Sequence, residues 1–329
     1  MRGTQMKILF IVDPLPTLAA YKDSSVAMMR ALAARGYELH VALQGDLFLE
    51  DGRVQARARR ITLVESADLR GKNWWLEEEP LDAPLTSYRA VLMRKDPPFD
   101  IEYLYTTHLL QRAELEGARV FNSGAALRNH PEKLSIAEFP EYTVPTLVSR
   151  SMARLRAFCE RHEDVILKPL DGMGGSGIFR VRPGDPNRSS IIEVLTNNEQ
   201  RTIMAQRYIP DIVEGDKRVL IIGGEPIPYV LARIPLAGET RGNLAAGGRG
   251  VAQPLNDHDR EVARHVGSKL KDRGLLLIGL DMIGRHITEI NVTSPTCFVE
   301  ITQQTGFDVA AHFVSALEAE LARRDALQA

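Results

Sequence analysis

The run KPLDGMGGSG, Lys168 to Gly177, constrains the fold more than any other stretch of this chain. Gly172, Gly174 and Gly177 satisfy the G-x-G-x-x-G spacing of a dinucleotide-binding turn. Such a turn must open a helix whose N-terminus carries a pyrophosphate. Here the chain continues IFRVRPG, which favours a strand and is blocked at Pro183, so a nicotinamide-dependent oxidoreductase is disfavoured. A P-loop is excluded because no Gly-Lys-Ser/Thr follows the glycines. What remains is strand, glycine loop, strand: a hairpin whose tip, free of side chains, can lay backbone N–H groups over phosphate oxygens. Lys168 supplies a cation at its edge, and a solvated surface turn is the alternative reading of the same residues.

The surrounding pattern divides the chain. Before the loop, short apolar runs alternate with helical periodicity: Ile8 to Val12, then Ser24 to Arg35, then Tyr37 to Leu43, a β-α-β order. A strand at Ala90 to Met93, a helix from Glu102 to Glu116 and a short strand at Arg119 to Asn122 complete an open α/β unit over 1–128. Ligands of such sheets sit beyond the carboxyl ends of the strands, which places Asp13, Arg94 and Asn122 at the favoured rim. A small α+β lobe spans 129–208, with a helix near Glu132 to Ala137, a strand at Thr146 to Val148, a helix at Ser151 to Arg161, and strands at Val165 to Lys168 and Ile178 to Val181. The remainder, 209–329, reads as strands near Arg218 to Ile222 and Ile227 to Ile234, a helix from Asp257 to Arg273, two further strands, and a closing helix from Val309 to Arg323.

At 329 residues, two or three structural units are expected. A formal charge of -2 gives no electrostatic reason to bind nucleic acid or an anionic membrane, so small-molecule substrates are favoured. Cys159 and Cys297 are too few and too far apart for a disulfide framework or zinc cluster. The first apolar run is five residues long and ends at Asp13-Pro14, unlike a signal peptide or membrane span, which makes the cytoplasm the expected compartment.

Near the C-terminus, GLDMIGRHITEINVTSPT spans Gly279 to Thr296. Side chains alternate along a strand, so Glu289 and Asn291 share a face and their oxygens converge, as a hard cation such as Mg2+ requires. An exposed hairpin face is the alternative. Asp281 joins that face if a three-residue turn, Gly284-Arg285-His286, pairs it with Glu289; a two-residue turn would pair it with Thr288 and turn it away. Arg218, Arg233 and Arg241 lie among apolar or glycine-rich sequence, and their guanidinium forks suit phosphate and carboxylate oxygens. The interval 234–249, IPLAGETRGNLAAGGR, carries four glycines and little periodicity, and reads as a lid.

Taken together, KDSS (Lys22 to Ser25), RKDPPFD (Arg94 to Asp100), LKPLDGMGG, DKRVL, ARIPLAGETRGNLAAGGRG and TEINVTSPT resemble bacterial glutathione synthetase, an ATP-grasp family, from about Met6 to the final helix. The resemblance implies an ATP-grasp fold of class α/β (α+β) with an N-terminal substrate domain, and Mg2+ or Mn2+ with ATP as co-substrate. It implies that Lys133, Lys168, Gly174 and Gly175 contact phosphates, that Gln206, Tyr208 and Ile209 face the adenine, and that Asp216 meets the ribose. Asp281, Glu289 and Asn291 would hold the metal, while Arg218, Arg233 and Arg241 would act in catalysis. Ser25 and Arg94 would recognise γ-glutamylcysteine, with Ser294 and Thr296 at the glycine end. A cytoplasmic homotetramer without nucleic-acid or membrane partners is also implied. The rival readings are a D-alanine-D-alanine ligase-like enzyme, disfavoured by RKDPP and VTSPT, and a non-catalytic, synapsin-like nucleotide-binding module.

Overall fold

The computed structural model of the chain describes residues 6–64, 67–236, 242, 244 and 247–328. The first sheet contains β1 (Lys7–Ile11), β2 (Glu38–Ala42), β3 (Leu47–Glu50), β4 (Arg53–Leu63), β5 (Trp75–Glu77), β6 (Leu81–Pro84), β7 (Ala90–Met93) and β8 (Val120–Phe121). Its centre, β2-β1-β7-β8, is parallel. Both faces of such a centre are covered, and Ile8 to Ile11 are accordingly fully buried. Helices α1 (Ser24–Ala34) and α2 (Ile101–Leu115) start where the carboxylates of Asp23 and Asp100 accept from Val26 N and Tyr103 N, both at 2.9 Å; the short α3 (Gly124–Asn129) follows β8. Strands β3 to β6 were not anticipated. In β4 the inward positions include Ala56 and Ala58 on either side of exposed Arg57, an alternation too weak in hydrophobic contrast to stand out.

The second sheet is antiparallel, in the order β11-β10-β12-β9, from β9 (Thr146–Ser149), β10 (Val165–Pro169), β11 (Phe179–Val181) and β12 (Ile203–Arg207). Helices α4 (Met152–His162) and α5 (Arg188–Thr196) close a core of its own around Leu155, Phe158, Leu167 and Ile192. The glycine-rich run is the expected hairpin between β10 and β11, with Leu167 opposite Phe179. The helix expected near Glu132 is instead a 3-10 segment, Leu134–Glu138, confined between Pro131 and Pro140.

The third sheet, β15-β14-β13-β16-β17, is also antiparallel and contains β13 (Asp216–Ile222), β14 (Glu225–Ile234), β15 (Arg249–Pro254), β16 (Leu277–Ile283) and β17 (His286–Asn291). Helices α6 (Asp257–Lys271), α7 (Phe298–Thr305) and α8 (Val309–Gln328) complete the chain. Phe313, Leu317 and Leu321 of α8 share a buried cluster with Ile8 and Phe10 of β1, which fastens the end of the chain to its beginning. Among the described residues no helix is long and apolar enough to cross a membrane.

The β16–β17 hairpin follows neither simple turn. Two residues, Gly284-Arg285, separate Ile283 from its partner His286, yet Asp281 still pairs with Glu289. A bulge between Asp281 and Met282 reconciles them: Met282 pairs with Ile287, so Thr288 is the extra residue. The Thr288 hydroxyl donates to Asp281 O at 3.3 Å, and the Thr288 carbonyl accepts from Lys168 Nζ at 3.2 Å.

Candidate active site

A cavity of about 350 Å3 opens between the second and third sheets. Its walls include Gly174 and Gly175 of the glycine loop, Gln206 to Ile209, Lys133, Lys168, Asp216, Arg218, Arg233, Asp281, Glu289 and Asn291, with Ser294 and Thr296 at the side toward the first sheet. Gly174 and Gly175 have φ of +62° and +82°, a backbone form open to glycine and strained for other residues.

Lys168, the fourth residue of β10, is buried, and burial pulls its ammonium pKa down to about 8 against the opposing field of Glu289. Lys133 is buried as well and bridges the two lobes: its ammonium donates to Glu289 Oε1 at 3.0 Å and to the carbonyl of Gly172. At the inner wall Gln206 Nε2 donates to Thr146 Oγ1 at 3.1 Å. Tyr208 is fixed by its amide, bonded to Asp164 O at 2.8 Å, while the Arg180 guanidinium lies 3.4 Å from its ring centre and pairs with Asp164. With Ile166, Ile178, Ile209 and Ile283 these residues make the apolar end of the cavity.

The opposite end is ionic. Arg218 grips Asp281 with two nitrogens, Nε to Oδ1 at 2.5 Å and Nη2 to Oδ2 at 3.1 Å. Arg233 Nη2 lies 2.9 Å from Asp281 Oδ2 and also bonds Asp216. Asn291 Nδ2 donates to Asp281 Oδ2 and to Gly279 O, each at 3.1 Å. Gly279 permits this packing, since a Cβ there would lie 3.1 Å from Arg218 Cδ and from Pro295 Cβ. Burial opposes charge on Asp281, but the two guanidinium groups outweigh it and hold its pKa at about 2. Asp216 pairs with Arg233 among the described residues, but burial, helped by the neighbouring Asp281 charge, prevails and lifts its pKa to about 6. Burial likewise opposes charge on Arg218 and Arg233, and their carboxylates more than compensate, raising both.

Asp281, Glu289 and Asn291 therefore share one face. Among the described residues no group of three or more His, Cys, Asp or Glu side chains could hold an ion unaided. Two carboxylates and an amide whose nitrogen is already engaged form a partial set of hard oxygen donors, which fits a divalent cation completed by phosphate oxygens. Ser25 and Arg94 stand outside the cavity lining but touch each other: Arg94 Nε donates to Ser25 Oγ at 3.0 Å and Nη2 to Pro295 O at 2.9 Å. Ser294 Oγ returns a bond to Arg94 O at 3.3 Å. Arg241 and most of 237–246 lie outside the described residues, although Gly242 and Leu244 reach the lining.

Two expectations change. Asn122, placed by its sequence position at the ligand rim, is buried as a clamp between the first and third sheets. Cys297, expected to be structural or incidental, is buried and also lines the cavity in a left-handed conformation (φ +85°), its thiol pKa raised by burial. Sequence reasoning also passed over Glu132, a cavity residue whose only local signal was its place beside Lys133.

Known proteins match this architecture closely. Residues 6–128 match the prokaryotic glutathione synthetase N-terminal domain, and residues 132–306 the prokaryotic glutathione synthetase ATP-grasp domain. The chain is similar to the glutathione synthetase of Bordetella parapertussis, 66% identical over 314 residues that cover 95% of this chain and 99% of that one. The glutathione synthetase of Neisseria meningitidis serogroup A is 55% identical, with 95% and 98% covered. Among solved structures, D-cycloserine synthetase superposes with a TM-score of 0.67 at 15% identity, covering 96% of this chain and 99% of that one. D-alanyl-alanine synthetase A from Vibrio cholerae gives 0.62 at 13%, covering 97% and 99%. At those identities the likeness concerns the fold alone.

Proposed function

The chain belongs to the prokaryotic glutathione synthetase family and is an ATP-dependent ligase; from that premise we propose how its cleft joins γ-L-glutamyl-L-cysteine to glycine. The observation that carries the proposal is the convergence of Lys133, Lys168, Arg218 and Arg233 with Asp281, Glu289 and Asn291 on one cavity. The cysteinyl carboxylate attacks the γ-phosphorus of ATP, forming an acyl phosphate and releasing ADP. The glycine amine then attacks the acyl carbon, the amide C–N bond forms, and phosphate leaves with the acyl C–O bond. No side-chain nucleophile is required, and such a reaction is accelerated by positioning and by cations around the transferred group.

In this account Lys133, Lys168, Gly174 and Gly175 hold phosphates, and Gln206, Tyr208 and Ile209 hold the adenine. Asp216 Oδ1 is buried without a partner, which supports a bond to a ribose hydroxyl. Arg94 Nη1 is also buried without a partner, which supports a contact to a carboxylate of γ-glutamylcysteine beside Ser25, with Ser294 and Thr296 toward glycine. The residues that would hold Mg2+ or Mn2+ are Asp281, Glu289 and Asn291, and such a cation neutralises charge on the phosphates. Arg218 and Arg233, already charge-paired, are positioned for transferred phosphoryl oxygens; Arg241 is assigned with them on sequence alone. We take 1–128, 129–208 and 209–329 as the working units, the segment 234–249 as the lid, and a cytoplasmic homotetramer as the assembly.

ADP release tests the function directly. With γ-glutamylcysteine, glycine and ATP, stoichiometric ADP and tripeptide are expected, and D-alanine pairs should give neither. Ligation of D-alanine, or nucleotide binding without turnover on any acceptor, would transfer the chain to one of the rival readings.

A further inference from the structure

The β17 ladder ends at Asn291, and the next two amides, of Val292 and Thr293, point away from any strand partner toward Glu132. Glu132 Oε1 accepts from Val292 N at 2.9 Å, from Thr293 N at 3.1 Å and from the Thr293 hydroxyl at 2.8 Å. The Glu132 carbonyl accepts from Ile290 N at 2.9 Å. One residue therefore grasps the backbone on both sides of Asn291. Its neighbour Lys133 grasps Glu289, and Arg94 independently fixes Ser294 and Pro295 further along. Glu132 also lines the cavity, where burial and, after it, the Glu289 carboxylate disfavour its charge.

We propose that Glu132 is a positioning residue of this ligase: its carboxylate sets the backbone on either side of Asn291 and so aims Asn291 and Glu289 at the metal–nucleotide complex. The inference rests on the metal-binding reading of that face. The physical case is that a strand end supplies no ladder bonds of its own, so the direction of Asn291 depends on what binds the amides that follow it. A carboxylate with three donors on one oxygen forms charge-assisted bonds and leaves those amides little freedom. A simple loop staple would need only an apolar turn or a neutral acceptor. Here the acceptor is a carboxylate close to Glu289, an arrangement whose like-charge cost is retained where geometry matters.

Four variants and three readouts test this. In ligand-free protein, amide hydrogen exchange at Val292 and Thr293 should lose protection in Glu132→Ala and keep it in Glu132→Gln, whose amide oxygen still accepts. In Mn2+ titrations with a non-hydrolysable ATP analogue, followed by electron paramagnetic resonance, Glu132→Ala should weaken binding about 10–100-fold, the range usual for residues that orient ligating groups. Glu132→Gln should recover most of that loss. Turnover should fall in parallel for Glu132→Ala, while the KM for γ-glutamylcysteine moves little because Arg94 holds that side separately. Normal Mn2+ affinity in Glu132→Ala, or equal losses in the alanine and glutamine variants, overturns the proposal. If Glu132→Ala fails to fold, Thr293→Val removes one of the three donors and should shift Mn2+ affinity in the same direction; no shift there is equally fatal. Asn291→Ala in the same titration judges the metal assignment alone, since the exchange readout on 292–293 needs no metal.

Discussion

At the scale of single residues the site works by charge held out of water. Lys168 is the clearest case, because burial rather than a partner sets its pKa near 8. As pH rises through about 8 the free enzyme loses this ammonium, so kcat/KM for ATP should fall along a limb centred there, and Lys168→Arg should move the limb out of range. The stability sign is opposite. The folded pKa lies below the unfolded value, so the unfolded chain binds more protons between about 8 and 10.4, and stability rises with pH across that window. Denaturation midpoints measured beside the kinetics would expose the error if both moved together. Glu289→Gln and Asn291→Ala change partly exposed oxygen ligands rather than core volume, but each removes a bonded partner, of Lys133 or of Asp281 and Gly279, so both should fold with a loss of about 1–2 kcal/mol and lose ligation. Full activity in both at limiting magnesium would remove the metal assignment.

At the scale of elements, hairpins carry the function. The β16–β17 turn is the tight two-residue kind, which alone would place Asp281 opposite Thr288. The bulge at Thr288 restores the Asp281–Glu289 pairing and turns a carbonyl toward Lys168. The expected lid belongs to a second hairpin, since its ends, Ile234 and Arg249, are paired directly across β14 and β15. Replacing 237–246 by a few glycines should therefore leave both strands intact and ATP binding nearly unchanged, while exposing the acyl phosphate to water. The expected signature is ADP formation uncoupled from tripeptide, read by running both assays on one sample. Tight coupling at a near-normal rate would reduce the segment to an ordinary connection.

At the scale of the molecule, Asn122 joins the sheets. Its Nδ2 donates to Leu277 O and Val292 O at 2.8 and 2.7 Å, and its Oδ1 accepts from Leu276 N and Leu277 N at 2.8 and 3.0 Å. Asn122→Ala should cost about 3 kcal/mol in urea unfolding, since several buried backbone groups would lose partners together; a loss below about 1 kcal/mol would make the clamp redundant. The same residue marks the boundary between what was legible and what was not. Local pattern carries the alternation that puts Glu289 and Asn291 on one face, the β-α-β start, the glycine hairpin that cannot open a helix, and the family, because strand period, backbone freedom and motif spacing are local. Long-range packing is what makes Arg218 and Arg233 neutralise Asp281, Glu132 hold the end of β17, and Asn122 face a sheet rather than a ligand. Those partners lie between 48 residues apart, for Arg233 and Asp281, and 170, for Asn122 and Val292. No local pattern encodes such pairs; they are chosen when the sheets close on one another and each buried charge or amide must find a counterpart.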